Sequence, residues 1–140
     1  MDDRTILAGK CHCGTVRFEV TLDDGFASIR RCTCSYCRMR GAVVVSSEAG
    51  AIRILAGEDA LTSYRFNTGV AQHFFCSCCG IYTHHQRRSN NSQYGVNVAC
   101  LDGVSPFDFA EVPVSDGVNH PSDTGRPARL AGTLRFVPST

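Results

Sequence analysis

The sequence predicts a mainly β domain built of antiparallel strands. Short runs rich in β-forming residues alternate apolar and polar side chains with a period of two, and turn signals separate these runs. No segment keeps an apolar period of 3.6 residues over the length of a major helix. Short strands at these intervals are typical of an antiparallel all-β domain.

The predicted strands follow one another closely along the chain. The first, Thr15–Leu22 (TVRFEVTL), alternates most clearly. The later ones are Gly41–Ser47, Ala51–Leu55, Leu61–Asn67, Gln72–Cys76, Gly80–His85 and Tyr94–Leu101. Turns are predicted at Asp23–Gly25, Glu48–Gly50, Asn67–Gly69 and Ser89–Gln93. Between the first two strands, Ser35–Arg40 forms at most a short helical turn.

The C-terminal part of the chain differs in composition from the rest. All five prolines lie there, at positions 106, 113, 121, 127 and 138. This segment has too few apolar positions for a core of its own, so we expect residues 104–140 to be an extension packed on the same domain. It is predicted to end in a strand at GTLRFV (Gly132–Val137). Residues 1–103 then form the main β domain.

Charge and hydropathy exclude several classes of partner. The net charge is +1, from 14 basic and 13 acidic residues, with no long basic run, which disfavours nucleic acid. No apolar run approaches the roughly 18 residues that cross a membrane.

The first residues, MDDRTILAGK, lack the apolar core of a secretory signal, which predicts a cytoplasmic location. Cysteines stay reduced in that compartment, so metal binding is the expected role of the nine present.

The cysteines fall into three clusters and one isolated residue. The clusters are Cys11-His-Cys13-Gly14, Cys32-Thr-Cys34-Ser-Tyr-Cys37 and Cys76-Ser-Cys78-Cys79-Gly80, and Cys100 stands alone. Thiolates bind Zn²⁺ well, and these spacings let one tight turn present two sulfurs to one ion. Gly14 and Gly80 let the backbone fold over the sulfurs and direct N–H groups at them.

Two of the clusters together supply a complete structural site. Cys11 and Cys13 provide two sulfurs, and Cys76 and Cys79 provide two more from a distant hairpin, which is enough for one closed zinc site. Such a site would clamp two hairpins together and stabilise a small β domain. Cys78 is interpreted as a spare thiol, since it cannot easily share a turn with its neighbour Cys79.

The remaining cluster, Cys32, Cys34 and Cys37, is one ligand short of a closed site. Three protein ligands and an open position are the arrangement of catalytic zinc. The alternative is a structural site completed from elsewhere. The candidates for that fourth ligand are Cys100, Cys78, His12, His84 and His85. The spacing alone does not decide between an open catalytic site and a closed structural site. A disulfide within the cluster is disfavoured, because the expected cytoplasmic location keeps cysteines reduced.

These motifs resemble the glutathione-dependent formaldehyde-activating enzyme (GFA) family, which includes centromere protein V. The matching segments are GKCHCGTVRFEV, RRCTCSYCRMRGA, FFCSCCGIYTHH and YGVNVACLDG, in the family's order, and they cover roughly Gly9 to Gly103. The resemblance implies an antiparallel β-tent fold that holds two zinc ions per chain. It assigns Cys11, Cys13, Cys76 and Cys79 to the structural zinc, and Cys32, Cys34 and Cys37 to the catalytic zinc.

The resemblance also implies an activity. It suggests a zinc-dependent carbon–sulfur lyase that forms or cleaves a glutathione–aldehyde adduct such as S-hydroxymethylglutathione. Glutathione is anionic and peptide-like, so Arg38, Arg40 and Asn97 are candidate substrate-binding residues. Two other functions remain open: a non-catalytic zinc module that binds protein or nucleic acid, and a thiol or metal sensor that uses the three-cysteine cluster.

Overall fold

The computed structural model describes residues 5–88 and 90–139. Residues 1–4, Thr140 and Ser89, which begins the predicted turn Ser89–Gln93, lie outside that description. The described residues are mainly β. The strands are β1 (Ile6–Lys10), β2 (Arg17–Thr21), β3 (Arg31–Cys32), β4 (Val44–Glu48), β5 (Ile52–Ala56), β6 (Leu61–Tyr64), β7 (Gln72–Cys76), β8 (Tyr82–Gln86), β9 (Gln93–Asn97), β10 (Glu111–Ser115) and β11 (Leu130–Arg135). The helices are short: α1 (Ser35–Arg40), α2 (Pro121–Thr124) and 3-10 turns at Ala49–Ala51, Glu58–Ala60, Val98–Cys100 and Pro106–Asp108.

The strands form three sheets. The largest has the order β4-β9-β8-β7-β6, and all its pairs are antiparallel. A second sheet has the order β1-β2-β5 and is also antiparallel. The third, β11-β10-β3, contains a parallel pair between β10 and β3, where Ser115 lies opposite Cys32. The predicted antiparallel architecture is therefore present with this one short exception among the described strands.

The main core lies between β2 and the β4–β9 side of the large sheet. Phe18 and Val20 of β2 pack with Val45 of β4, Val96 of β9 and neighbouring apolar residues. The period-two pattern of β2 turns Phe18 and Val20 to the same face, as its burial shows. Each such side chain stabilises the fold by about 1.5–3 kcal/mol when removed from water.

Several predicted elements begin or end at different residues. The predicted strand Gly41–Ser47 begins only at Val44, because Gly41 adopts a left-handed φ of 73° and terminates α1. The predicted strand Tyr94–Leu101 ends at Asn97, whose side chain accepts a hydrogen bond from the Ala99 N–H and starts a 3-10 turn. Strand β1, which pairs with β2 along its whole length, was not predicted.

The C-terminal segment contributes two strands rather than one. β10 lies between β3 and β11, and β11 begins two residues before the predicted strand Gly132–Val137. The pairing of β10 with β3 places residues 115–117 beside the first cysteine of the three-cysteine cluster. In the part of the chain that the structure describes, no helix has the length and apolar character to cross a membrane.

Candidate metal centres and the adjoining cavity

Four cysteine sulfurs from two distant turns come together in the structure. Cys11 and Cys13 follow β1, Cys76 ends β7, and Cys79 lies in the turn before β8. All four sulfur atoms lie within 4.8 Å of one another. The Cys13 sulfur is 3.7 Å from that of Cys11 and 3.8 Å from that of Cys76. This four-cysteine group has the donors and the spacing that a metal ion needs.

The backbone of both turns is arranged in the same way. Gly14 and Gly80 each have a φ of 78°, a conformation that disfavours residues with a Cβ atom. Their N–H groups donate to the carbonyls of Cys11 and Cys76 at 3.1 and 2.7 Å. Each turn thereby closes tightly enough to direct its sulfurs to the same point.

Backbone N–H groups also point at the sulfurs of the four-cysteine group. The N–H of Val16 donates to the Cys11 sulfur at 3.3 Å, and that of Cys78 donates to the Cys76 sulfur at 3.4 Å. Hydrogen bonds from the backbone at Cys13 and Ile81 lower the pKa of the Cys79 thiol to about 6. The Cys78 side chain is exposed and lies outside the group.

The sulfurs of Cys32, Cys34 and Cys37 form a second group within 4.8 Å. Cys32 ends β3, Cys34 is the N-cap of α1, and Cys37 lies in its first turn. The N–H of Cys34 donates to the Cys32 sulfur at 3.4 Å, and the N–H of Cys37 donates to the Cys34 sulfur at 3.3 Å. Hydrogen bonds from the Cys32 and Cys37 thiols hold the pKa of Cys34 far below its usual range, so Cys34 is the first of the three to ionise.

No fourth metal-binding side chain joins the three-cysteine group among the described residues. Among the described His, Cys, Asp and Glu side chains, none besides these three cysteines places a ligand atom within 4.8 Å of all three sulfurs. Cys78 belongs to the other turn, and His12 is exposed. Cys100 is buried, and burial raises the pKa of its thiol to about 12.

The two remaining fourth-ligand candidates are held by neighbouring rings. His84 stacks on Phe74, with ring centroids 4.7 Å apart, and on Tyr94 at 5.5 Å. His85 does line the cavity beside the three cysteines, but its Nδ1 lies 2.6 Å from the Tyr82 hydroxyl. Neither ring contributes a nitrogen to the three-sulfur group.

A cavity of about 200 Å³ adjoins the three sulfurs. All three cysteines line it, together with six arginines: Arg30, Arg31, Arg40, Arg87, Arg88 and Arg129. Asp116 is the acidic residue in the lining, and it forms an ion pair with Arg129 at 3.3 Å. The cavity therefore combines thiol ligands with a surplus of positive charge, which favours an anionic occupant.

The C-terminal segment forms one wall of this cavity. The N–H of Thr33 donates to the Ser115 carbonyl at 3.1 Å, and the N–H of Gly117 donates to the Thr33 hydroxyl at 3.0 Å. A Cβ atom added at Gly117 would lie only 2.3 Å from the Cys32 sulfur. Sequence reasoning missed this contact, because the segment carries no motif that signals it.

The three predicted substrate-binding residues lie in different places. Arg40 lines the cavity, and its Nη2 donates to the Cys37 sulfur at 3.4 Å. Arg38, two residues earlier on α1, is exposed and is not part of the lining. Asn97 is buried, and its amide donates to the Tyr82 carbonyl at 2.8 Å and accepts from the Ala99 N–H at 3.1 Å.

Comparisons with known proteins agree with the resemblance of the motifs. A family model described as "Glutathione-dependent formaldehyde-activating enzyme" matches residues 6–112. A crystal structure of a Rhodobacter sphaeroides protein, solved as a structural-genomics target, is 55% identical in sequence, with a TM-score of 0.75. The match covers 76% of this chain and 98% of that one. The chain belongs to the family of glutathione-dependent formaldehyde-activating enzymes.

Proposed function

We propose that the protein is a zinc-dependent carbon–sulfur lyase that reversibly joins glutathione to a small aldehyde, as in S-hydroxymethylglutathione. The observation that supports it best is the three-cysteine group at the wall of a cavity, with no fourth protein ligand among the described residues. A site of three protein ligands leaves one position for water or substrate.

The donor sets suit zinc at both places. Four thiols within 4.8 Å match the chemistry of a closed structural site, so Cys11, Cys13, Cys76 and Cys79 would hold one ion of the proposed β-tent fold. Cys32, Cys34 and Cys37 would hold a second. An ion held there would supply Lewis acidity, which would favour a thiolate at neutral pH and polarise a carbonyl.

The proposed reaction is an addition that balances without a further reagent. The thiol sulfur forms a bond to the carbonyl carbon of the aldehyde, the C=O π electrons move to oxygen, and the thiol proton ends on that oxygen. The reverse reaction breaks the same carbon–sulfur bond. The residues of the chain bind and orient both reactants, which can lower the barrier through proximity alone.

The arginine-lined cavity supports an anionic thiol as the substrate. Of the three candidate contacts, Arg40 has the strongest geometric support, since it lines the cavity and contacts Cys37. Substrate binding by Arg38 and Asn97 stays a prediction, and the positions of these two residues support it less. A reducing compartment such as the cytoplasm suits the proposed enzyme, because its thiols must stay free to bind metal.

The test is a combined metal and turnover measurement. We expect two zinc ions per chain. We also expect the protein to accelerate the exchange between formaldehyde, glutathione and the adduct above the spontaneous rate, as measured by NMR. One zinc with an oxidised three-cysteine group would instead indicate a thiol or metal sensor. Two zinc ions without turnover of any glutathione–aldehyde adduct would indicate a non-catalytic binding module.

A further inference from the structure

His73 is a buried histidine beside the three-cysteine group that the sequence motifs do not single out. It lies on β7, is 3% exposed, and lines the cavity that the three sulfurs share. Its ring packs against Tyr36, with centroids 4.4 Å apart, and against His85 at 5.1 Å. These contacts fix the plane of the ring.

One ring nitrogen of His73 is occupied by Arg40. The Nη1 of Arg40 lies 2.9 Å from the His73 Nδ1. A guanidinium group can only donate hydrogen bonds, so Nδ1 must be the acceptor and cannot carry a proton. In the neutral ring the proton is then on Nε2, which makes Nε2–H a donor.

That donor has no partner among the described residues. The His73 Nε2 and the Arg40 Nε are the buried side-chain nitrogen or oxygen atoms left without a hydrogen bond there. Leaving a buried N–H unpaired is unfavourable, so such a group calls for an acceptor that the described residues do not provide. Both unpaired nitrogens belong to residues that line the 200 Å³ cavity.

The charge state of the ring supports the same role. Burial, together with the charge of Arg40, lowers the pKa of His73 to about 4, so the ring is neutral at pH 7. A neutral Nε2–H beside an arginine can stabilise negative charge that develops on an oxygen. It does so without giving up its proton.

We propose that the Nε2–H of His73 donates a hydrogen bond to the aldehyde-derived oxygen of the substrate, the oxygen that gains charge when the carbon–sulfur bond forms. This inference rests on the proposed function, since it requires an aldehyde carbonyl in the cavity. Arg40 acts as the positioning residue, because its bond to Nδ1 sets the tautomer. His73 thereby acts on the substrate and not as a metal ligand.

Two variants of His73 separate donation from support of Arg40. His73→Asn keeps an oxygen near the Nδ1 position to accept from Arg40 but has no group at the Nε2 position. His73→Gln extends an amide N–H to about the Nε2 position. His84→Asn is the matched control, since His84 is also buried in the same sheet but lines a different cavity.

The zinc-loaded proteins are assayed with glutathione and formaldehyde, with zinc content measured for each. We expect His73→Asn to lower kcat by about 100-fold at an unchanged KM for glutathione, the size of effect seen when one donor to a developing oxyanion is lost. His73→Gln should recover a large part of the rate, and His84→Asn should match the wild type. Equal rates in His73→Asn and His84→Asn would overturn the inference and leave the proposed function intact.

A second readout does not depend on turnover. Nitrogen-15 NMR of the resting protein should show the Nε2–H tautomer of His73, and its proton should shift downfield when both substrates are added. An Nδ1–H tautomer would overturn the assignment of the donor. A wild-type protein with no turnover and no such shift would overturn the proposed function, and with it the substrate oxygen as acceptor.

Discussion

Gly117 packs directly against Cys32, so that a Cβ atom at position 117 would lie 2.3 Å from the Cys32 sulfur. It would also lie 2.8 Å from the backbone nitrogen of Cys34, which cannot move without disturbing α1. Gly117 does not have a positive φ, so a left-handed backbone conformation is not the reason for glycine at this position. Its small size lets the C-terminal segment close over the three-cysteine group.

Gly117→Ala should therefore disturb the three-cysteine site specifically. The added methyl group displaces Cys32, so we expect the affinity of the three-cysteine group for the proposed second zinc ion to fall by at least about tenfold, as for loss of a group that orients metal ligands. Gly132→Ala is the control, because a Cβ atom there meets no atom within 4 Å. Competition with a chromophoric chelator measures the zinc affinity of each variant. Equal affinities in Gly117→Ala and Gly132→Ala would contradict the contact between Gly117 and Cys32.

Loss of a sulfur from the four-cysteine group should destabilise the whole fold. In Cys76→Ser the two turns would lose the zinc ion that we propose they share, and structural zinc binding contributes directly to folding. We expect the Tm to fall by more than about 10 °C, which corresponds to a few kcal/mol for a chain of this size. Cys78→Ser is the matched control from the same turn, and its Tm should equal that of the wild type in calorimetry.

Loss of a sulfur from the three-cysteine group should abolish activity without destabilising the fold. Cys34→Ser is expected to retain the fold, to bind one zinc instead of two, and to lose turnover. The reason is that the core and the four-cysteine group do not include this segment. Circular dichroism, zinc analysis and the NMR assay test it together. An unfolded Cys34→Ser protein would mean that the second metal site is structural.

Stability should rise with pH between about 4 and 6.5 in part because of His84. Burial lowers its pKa to about 4, so the unfolded chain binds more protons than the folded one in this window. At pH 5.5 the cost is about 1 kcal/mol relative to neutral pH. His84→Phe should flatten the pH dependence of urea unfolding by that amount. The difference in free energy of unfolding between His84→Phe and the wild type should therefore change between pH 5.5 and pH 7.5. The same difference at both pH values would contradict a neutral His84.

The two arginines of α1 should differ in their effect on the thiol substrate. Arg40 lines the cavity, so Arg40→Ala should raise the KM for glutathione by about tenfold, the scale of one charge-assisted hydrogen bond. It should also lower kcat, because the bond that sets the tautomer of His73 is lost. Arg38→Ala is expected to raise the KM less, because Arg38 is exposed. An unchanged KM in Arg38→Ala would remove Arg38 from the substrate contacts.

The sequence was most informative where spacing and chemistry coincide. The period-two pattern predicted β2, and the Cys-x-Cys and Cys-x-x-Cys spacings predicted which sulfurs could share an ion. Element boundaries failed where one side chain or one glycine overrides the pattern, as at Asn97 and Gly41. Strand β1 was missed because ILAGK is short and does not alternate clearly.

The cavity itself could not be predicted from the sequence. His73, Gly117 and Arg129 line or contact one site but come from different segments of the chain. The pairing of β10 with β3 brings Gly117 beside Cys32, and the pairing of β11 with β10 adds Arg129. Such contacts depend on tertiary structure and leave no local pattern. The bond between His73 and Arg40 is of the same kind, since it joins a strand to a helix 33 positions away.

The most direct test of the proposed lyase activity is the exchange rate between formaldehyde and glutathione in the presence of the zinc-loaded protein. Two-dimensional exchange NMR with ¹³C-formaldehyde measures formation and cleavage of the adduct at equilibrium, without coupling enzymes. If the protein is the proposed lyase, the rate rises in proportion to protein concentration and falls to the spontaneous rate in Cys34→Ser. A wild-type protein that holds both zinc ions and gives only the spontaneous rate would contradict it.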